Sequence, residues 1–359
     1  MIVKNEAHVI RRCLASVRGL VDAYCVVDTG STDGTQDIVR EAMRGVPGAV
    51  YERPWKNFGH NRTEALELAR PWADYSFIID ADEEMVLPPG YALPELTLDA
   101  YLTPHRGEGS KTSFYRTQIV RSSLPWRYVG VLHEVIQCDA PHETGKVHDV
   151  LCVGHFDSAR NQGDVRQKYA RDAEVLERGL VEEPDNARYV FYLAQSYRDA
   201  GEPERAISNY RRRAALGGWP EEVFYSFYQA GLLCEAAGRH EEAVSAWLDA
   251  YAARPTRREP LVALARHYRT HRKFPLAYLF AKKSVELPRP DDLLFLQDEA
   301  YDWRAEDEVS VAAFWVGEYR ESLDYAGRLL ASSRLPSDQR ERVEKNRQFA
   351  ADKLAAGAR

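Results

Sequence analysis

Two apolar strand-like runs near the start of the chain each end in a cluster of carboxylates, and this constrains the fold more than any other feature. Tyr24-Cys25-Val26-Val27 leads into Asp28-Thr29-Gly30-Ser31-Thr32-Asp33-Gly34-Thr35, and Tyr75-Ser76-Phe77-Ile78-Ile79 leads into Asp80-Ala81-Asp82-Glu83-Glu84. Unbroken apolar runs mark strands buried on both faces, as in a parallel sheet covered by helices. Ligands of such sheets gather at the carboxyl ends of the strands. Carboxylates at two of these ends suit a nucleotide and its divalent metal.

The rest of the first half alternates strand and helix signals, which predicts an α/β domain on a mostly parallel, mixed sheet. Met1-Ile2-Val3 reads as a first strand ending at Lys4-Asn5-Glu6. A helix is expected over Ala7 to Arg18, with Val9, Ile10, Cys13, Leu14 and Val17 on one face. Asp33-Gly34-Thr35-Gln36 resembles a capping box. Ala49 to Glu52 is a third strand, Asn61 to Arg70 a helix and Ser76 to Ile79 a fourth strand. Leu87 to Gly109 has weak periodicity, and strands are expected again at Phe114 to Arg121, Val131 to Cys138 and Val150 to Phe156.

From about Asp164 the strand signals vanish and helical periodicity takes over. Leu193-Ala194, Tyr197, Gly201, Ala206 and Tyr210 recur as Ala230-Gly231, Cys234, Gly238, Ala243 and Trp247. They recur again as Leu264-Ala265, Tyr268, Arg272, Ala277 and Ala281, giving steps of 37 and 34 residues. Small residues at fixed positions let paired helices pack closely, and the period resembles tetratricopeptide repeats. The expected organisation is an α/β domain over 1–163, a connecting helix over 164–184, an all-α solenoid of repeats over 185–290, and a degenerate pair with capping helices over 291–359.

Composition narrows the function classes. A net charge of −7 gives no bulk attraction to nucleic acid or anionic membrane. No apolar stretch reaches the ~20 residues of a membrane span. Cys13, Cys25, Cys138, Cys152 and Cys234 are scattered without a CxxC pair. They point to a reduced, cytoplasmic protein without a disulfide framework or zinc site. The polar opening Lys4-Asn5-Glu6 does not match a signal peptide.

Asp80 and Asp82 form a D-x-D pair. In an extended segment both carboxylates face one side. A hard divalent cation, Mn2+ or Mg2+, can take oxygens from them and from a diphosphate that they alone would repel. Asp82 is the preferred direct ligand, with Asp80 reaching ribose or a metal-bound water. For Asp33 the turn and helix-cap reading is preferred.

Taken together, Met1-Ile2-Val3-Lys4-Asn5-Glu6, the Asp28-to-Thr35 string and Asp80-Ala81-Asp82-Glu83 resemble the family 2 glycosyltransferases of GT-A fold over about residues 1–160. The appended repeats make the whole chain similar to bacterial and phage members that join such a domain to tetratricopeptide repeats. The resemblance implies an inverting transfer from a nucleotide diphosphate sugar, UDP-linked by preference. It implies that Asp28 bonds the base and that Glu6 contacts the nucleoside. A basic residue after the third strand would contact the donor, Arg62 in preference to Arg53. Glu134 becomes the candidate base, with His133 beside it holding acceptor or donor, and His155 a third metal ligand. Lys168 and Arg171 could reach the diphosphate from a mobile segment. Trp126 and Tyr128 offer either a stacking surface for a sugar or plain core packing.

The acceptor stays open between peptide side chains, glycans and modified DNA bases. Basic clusters in the repeats, Arg211-Arg212-Arg213, Arg257-Arg258 and His271-Arg272-Lys273, could track a phosphate backbone or simply face solvent. The helical repeats could also bind a partner or a second copy of the chain. Two other readings compete. One is a non-catalytic sugar-nucleotide sensor on a repeat scaffold. The other is a pyrophosphorylase, which the glycine-free turn Lys4-Asn5-Glu6-Ala7-His8 disfavours.

Overall fold

The computed structural model describes residues 1–109, 114–292 and 295–357. It divides into two compact units, residues 1–184 with 199–201, and residues 185–198 with 202–359. The degenerate region expected over 291–359 includes residues 293–294 and 358–359, which lie outside the described residues.

The first unit opens with β1 (Ile2–Val3), α1 (Ile10–Val17), β2 (Tyr24–Asp28), α2 (Thr35–Ala42) and β3 (Gly48–Glu52). The three strands form a parallel sheet in the order β1-β2-β3. Then come α3 (Phe58–Ala69), β4 (Tyr75–Phe77), β5 (Glu83–Val86), β6 (Ala100–Gly107) and β7 (Phe114–Arg121). The unit continues with β8 (Arg127–Val129), β9 (Val135–Gln137), β10 (Thr144–Lys146), β11 (Leu151–Gly154) and α4 (Val165–Glu182). A second, mixed sheet runs β4-β7-β6-β11-β5, with β10 beside β6. β10 and β11 lie parallel to β6, and the other pairings in this sheet are antiparallel.

Helix α1 links the two sheets. Its apolar positions fall at i, i+3, i+4 and i+7, the spacing of one helix face, and Ile10, Cys13, Leu14 and Val17 are all buried. Ile10 and Leu14 pack with Val3, Val26 and Val39 of the parallel part. Cys13 and Val17 pack with Ile79, Met85, Ile119 and Cys152 of the mixed part. One helix face therefore sets the end of β2 beside the acidic segment after β4.

Several elements differ from expectation, each for a local reason. α1 starts at Ile10, not Ala7, because Val9 N and Ile10 N both donate to Glu6 O and open the first turn there. α3 starts at Phe58, three residues ahead of Asn61, because Asn57 caps it by accepting from His60 N at 2.8 Å. The strand expected over Val131 to Cys138 shrinks to β9, since Gly130 (φ 118°) and His133 (φ 52°) turn the chain. β6 arises inside the stretch read as irregular. Its Pro104 falls between the part paired with β10 (Ala100 to Leu102) and the part paired with β11 (His105 to Gly107), where a missing N–H removes no ladder bond on that side.

The second unit is all helix. α5 (Ala187–Ala200) pairs with α6 (Pro203–Ala215), α7 (Pro220–Ala236) with α8 (His240–Ala253), and α9 (Glu259–Thr270) with α10 (Phe274–Val285). A π-helical turn, Ala300–Arg304, leads into α11 (Ala305–Val316), α12 (Tyr319–Ala331) and the closing α13 (Ser337–Gly357). The turn inside each of the four pairs holds a left-handed residue: Gly201, Gly238, Arg272 and Gly317. This is the conformation that favours glycine and burdens Arg272. Small buried residues bring partner helices together. A Cβ on Gly231 would lie 2.4 Å from Trp247 Nε1. The unit is a tetratricopeptide-like helical array, as the repeat spacing implied.

No described helix is long and apolar enough to cross a membrane, and all five cysteines are free.

Candidate active site

The carboxyl ends of β1 and β2, the segment after β4 and the start of α4 enclose a cavity of about 720 Å³. Glu6, Arg62, Asp80, Asp82, Arg116, Lys168 and Arg171 are among the residues that line it. A second cavity, about 390 Å³, lies behind Met1 and Ile2 and is lined mainly by apolar residues. The larger one collects the carboxylates and cations and is the candidate site.

Its first wall is the Asp28–Thr35 loop. Asp28 is buried, and its Oδ1 accepts from Gly30 N and Ser31 N, both at 2.8 Å. Its Oδ2 is buried without a hydrogen-bond partner among the described residues. Thr29, not Asp28, lines the cavity itself. Asp33 ties two loops together. It accepts from Ala7 N (2.9 Å), Thr35 N (3.1 Å) and the Thr35 hydroxyl (2.6 Å). Burial would raise its pKa, yet those hydrogen bonds hold the carboxyl below its ordinary range. Asp33 thus serves turn chemistry, and no side chain caps α2.

Glu6 sits 8% exposed, and its Oε2 accepts from Ala159 N at 3.1 Å. Burial is the main cause of its raised pKa, partly offset by that hydrogen bond, and the nearby Asp82 charge adds to the rise. The segment after β11, expected to be loop-like, is pinned. Glu6 holds Ala159, and Arg12 grips Asp157 with two bonds, at 2.9 and 2.8 Å. Lys168 reaches the cavity from α4 and donates to Asn161 Oδ1 at 2.7 Å. Burial first, then the Arg160 charge, lowers its pKa.

At the centre stands Arg62. Its Nη2 lies 2.6 Å from Asp80 Oδ1, and its Nε lies 2.6 Å from Glu134 Oε1. The Nε–H is not aligned on that oxygen, so the Glu134 contact is one of charge. The guanidinium also lies 5.5 Å from the Tyr128 ring centroid, a cation–π contact. The geometry depends on Gly59, one turn earlier on α3: a Cβ there would come within 2.3 Å of Gly130 O. α3 can therefore press against the Tyr128–Gly130 backbone and carry Arg62 to Glu134. Arg53 instead pairs with Glu64 at 3.0 Å and does not line the cavity.

Asp80 is held from two sides, with Arg116 at 3.9 Å. Burial pushes its pKa up, but Arg62 and Arg116 outweigh this and hold it below the carboxylate range. Glu83 lies in β5 with its side chain inward. It accepts from Asp80 N (2.9 Å) and from Arg116 (2.7 Å). Behind it His105 and Cys152 complete a buried trio with Glu83. Burial, reinforced by Arg116, pushes the His105 pKa down to about 3. Burial likewise pushes the Cys152 thiol up to about 12. A neutral imidazole and a protonated thiol make this trio a polar buttress behind Asp80.

Asp82 differs from its neighbours. It lines the cavity, and its carboxylate has no hydrogen-bond or ion-pair partner among the described residues. His155 is close by through its backbone, whose N–H donates to Asp82 O at 3.0 Å. Its ring is engaged elsewhere, with Nε2 3.0 Å from Glu84 and Nδ1 3.1 Å from Glu108. His155, His133 and Glu134 are absent from the described cavity lining. Trp126 is buried in the core with Leu66, Ile78 and Val120, which settles it as packing.

In the repeats, the basic clusters do not form a continuous solvent-facing strip. Arg213 and Arg257 are buried and paired with Glu222 and Glu259 at 2.7 Å each, and Arg211 pairs with Glu242 at 2.6 Å.

Arg116 was not singled out from sequence, because a lone arginine in a strand carries no motif. The role of Arg62 was hidden too, since its two partners lie on other segments.

Comparison with known proteins agrees with this architecture. Residues 1–96 match the model of glycosyl transferase family 2. The chain is 26% identical over 311 residues to a TPR repeat-containing protein of Synechococcus elongatus, covering 79% of this chain and 74% of that protein. It is 26% identical over 217 residues to the SPbeta prophage-derived glycosyltransferase SunS of Bacillus subtilis, covering 58% of this chain and 50% of SunS. It is 34% identical over 98 residues to the lipopolysaccharide core biosynthesis glycosyltransferase LpsC of Rhizobium meliloti, covering 27% of this chain and 35% of LpsC. The matched region thus spans half of SunS and about a third of LpsC. Among solved structures, MamA aligns with a TM-score of 0.36 at 16% identity, over 55% of this chain and 98% of MamA. Residues 1–96 of the chain thus match glycosyl transferase family 2, and the chain continues into tetratricopeptide-like helical repeats.

Proposed function

We propose that the chain moves a sugar from a nucleotide diphosphate sugar, UDP-linked by preference, to a hydroxyl or thiol, with inversion and with Mn2+ or Mg2+ bound. The observation that supports this best is the unpaired carboxylate of Asp82 on a cavity whose other acidic groups are already tied up. An oxygen-only setting with one open carboxylate fits a hard cation that draws its other ligands from water and diphosphate. Asp82 would hold it directly and Asp80 through water. His155 would join only by leaving Glu84 and Glu108. When bound, the metal neutralises charge on the departing diphosphate.

The chain's own residues do the rest. Asp28 Oδ2, buried and unpaired behind Thr29 on the cavity wall, would accept from a nucleobase N–H if the Asp28–Thr35 loop shifts to expose it. Lys168 and Arg171 add positive charge on the α4 side of the cavity. Glu134 takes the acceptor proton as general base, opposite the leaving group. Arg62 fixes that carboxylate in place and sets its distance from Asp80. The repeats offer a helical surface for the acceptor, which can be peptide, glycan or modified nucleic acid, or for a second copy of the chain.

The test is turnover of a panel of UDP-sugars by the full chain with Mn2+ or Mg2+, read as released UDP. The expected result is metal-dependent release that D82N lowers by roughly 10²–10³-fold. Equal release in chelator would overturn the metal assignment, and no release from any UDP-sugar would overturn the UDP-linked donor.

A further inference from the structure

The second unit holds a cluster of imidazoles that glycosyl transfer does not use. His240 opens α8, His267 lies in the last turn of α9, and His271 follows α9 directly. The ring centroids of His267 and His271 are 4.3 Å apart, those of His240 and His271 4.5 Å, and those of His240 and His267 5.5 Å. One ring nitrogen from each lies within 4.8 Å of the other two.

Hydrogen bonding fixes the tautomer of all three rings. His240 Nδ1 lies 2.9 Å from Glu235 Oε2, and His267 Nδ1 lies 3.0 Å from both oxygens of the same carboxylate. His271 Nδ1 lies 2.8 Å from His267 O. A carboxylate and a carbonyl can only accept, so each Nδ1 carries a proton, and in the neutral ring it is Nε2 that offers a lone pair to a metal. A carboxylate bonded to the far nitrogen of a ligating histidine is the usual support of a metal-bound imidazole. Here one carboxylate serves two rings. Of the nearby cations, Arg239 pairs with Glu242 and Glu204, and Arg269 with Glu308, while Arg272 and Lys273, which follow His271, have no ion-pair partner among the described residues.

We propose that His240, His267 and His271 bind a divalent transition-metal ion through Nε2, with Glu235 holding two of the rings in position. Three imidazoles suit Zn2+ or a similar borderline ion and not Mg2+ or Ca2+. Tetrahedral zinc at about 2.0–2.1 Å from nitrogen needs the rings to close slightly. His240 and His271 are exposed and each ring is held only through Nδ1, by hydrogen bonding that small shifts can keep, while buried His267 supplies the fixed point. The ion would clip the α7–α8 turn to the end of α9, next to Arg272, the one non-glycine in the left-handed turn position.

The experiment uses the full chain freed of metal by chelation, titrated with Zn2+ against a chromophoric competitor and with Co2+ by visible absorption. Wild type is expected to bind one more equivalent of Zn2+ than H240Q/H271Q and to give d–d bands of four-coordinate Co2+ that the double variant lacks. Subtracting the double variant removes any metal held at Asp82. E235Q is expected to keep the stoichiometry and to weaken affinity 10–100-fold. If the double variant loses helical content, H271Q alone serves, with at least tenfold weaker binding expected. Equal stoichiometry and equal Co2+ spectra in wild type and variant would overturn the proposal.

Discussion

Arg62 Nη2 lies 2.6 Å from Asp80 Oδ1, so the first carboxylate of the D-x-D pair is neutralised from inside the protein and the second is left open. The same guanidinium reaches Glu134, which ties the candidate base to the candidate metal side. Replacing Arg62 with methionine strands Glu134 and leaves Asp80 with Arg116 alone, at 3.9 Å; the two side chains are 11% and 27% exposed. Losing one partner of such a pair costs about 3 kcal/mol. D80N on top of R62M is expected to recover part of this, with a coupling of about 1–2 kcal/mol. Urea unfolding of the two single variants and the double checks it, and purely additive losses would contradict the bridging role.

His105 gives a pH signature. Its folded pKa is depressed to about 3, first by burial and then by Arg116, against an ordinary value of 6.5. The unfolded chain therefore takes up a proton below about pH 6.5 that the folded chain refuses until near pH 3. Stability from the neutral ring is present above pH 6.5 and is lost as pH falls through that window. The slope is at most about 1.4 kcal/mol per pH unit for one group. H105Q, which can keep the bond to Thr103, should lack this component, so the stability difference between wild type and variant should shift by that slope between pH 6.5 and 4. Parallel profiles would contradict it.

Gly231 tests the repeat packing. Alanine gains about 1 kcal/mol in helix propensity. Its Cβ, however, would lie 2.4 Å from Nε1 of the fully buried Trp247. Overpacking of this kind costs about 1–3 kcal/mol. G231A should therefore lower the melting temperature of the repeat unit, and an unchanged or higher value would contradict the tight α7–α8 contact.

What could be read from sequence followed local rules. Asp28, Asp80 and Asp82 stood out because each follows an apolar run, a short-range pattern, but Ala81 and Asp82 form a turn closed by Glu83 N on Asp80 O (3.1 Å) and not the extended segment expected. The first three helix pairs were legible through steps of 37 and 34 residues. The fourth was faint because 45 residues separate Arg272 from Gly317, and the inserted stretch includes a π-helical turn. Pro104 concealed β6, since only tertiary pairing reveals that its missing N–H falls in a gap between two neighbours. Arg62 was read as facing the donor, and its bridge to Asp80 and Glu134 exists only once α3 lies on Gly130. His271 sat in a basic tripeptide and read as charge, because Glu235 and His240 belong to the preceding helix pair.

The most direct measurement is calorimetric titration of UDP into wild type and D82N, each with Mn2+ and with chelator. Tight binding only in wild type with Mn2+, weakened at least 100-fold by D82N at unchanged melting temperature, is the result expected of an open carboxylate that anchors a metal-bound diphosphate. UDP binding that ignores both the metal and the substitution would contradict it.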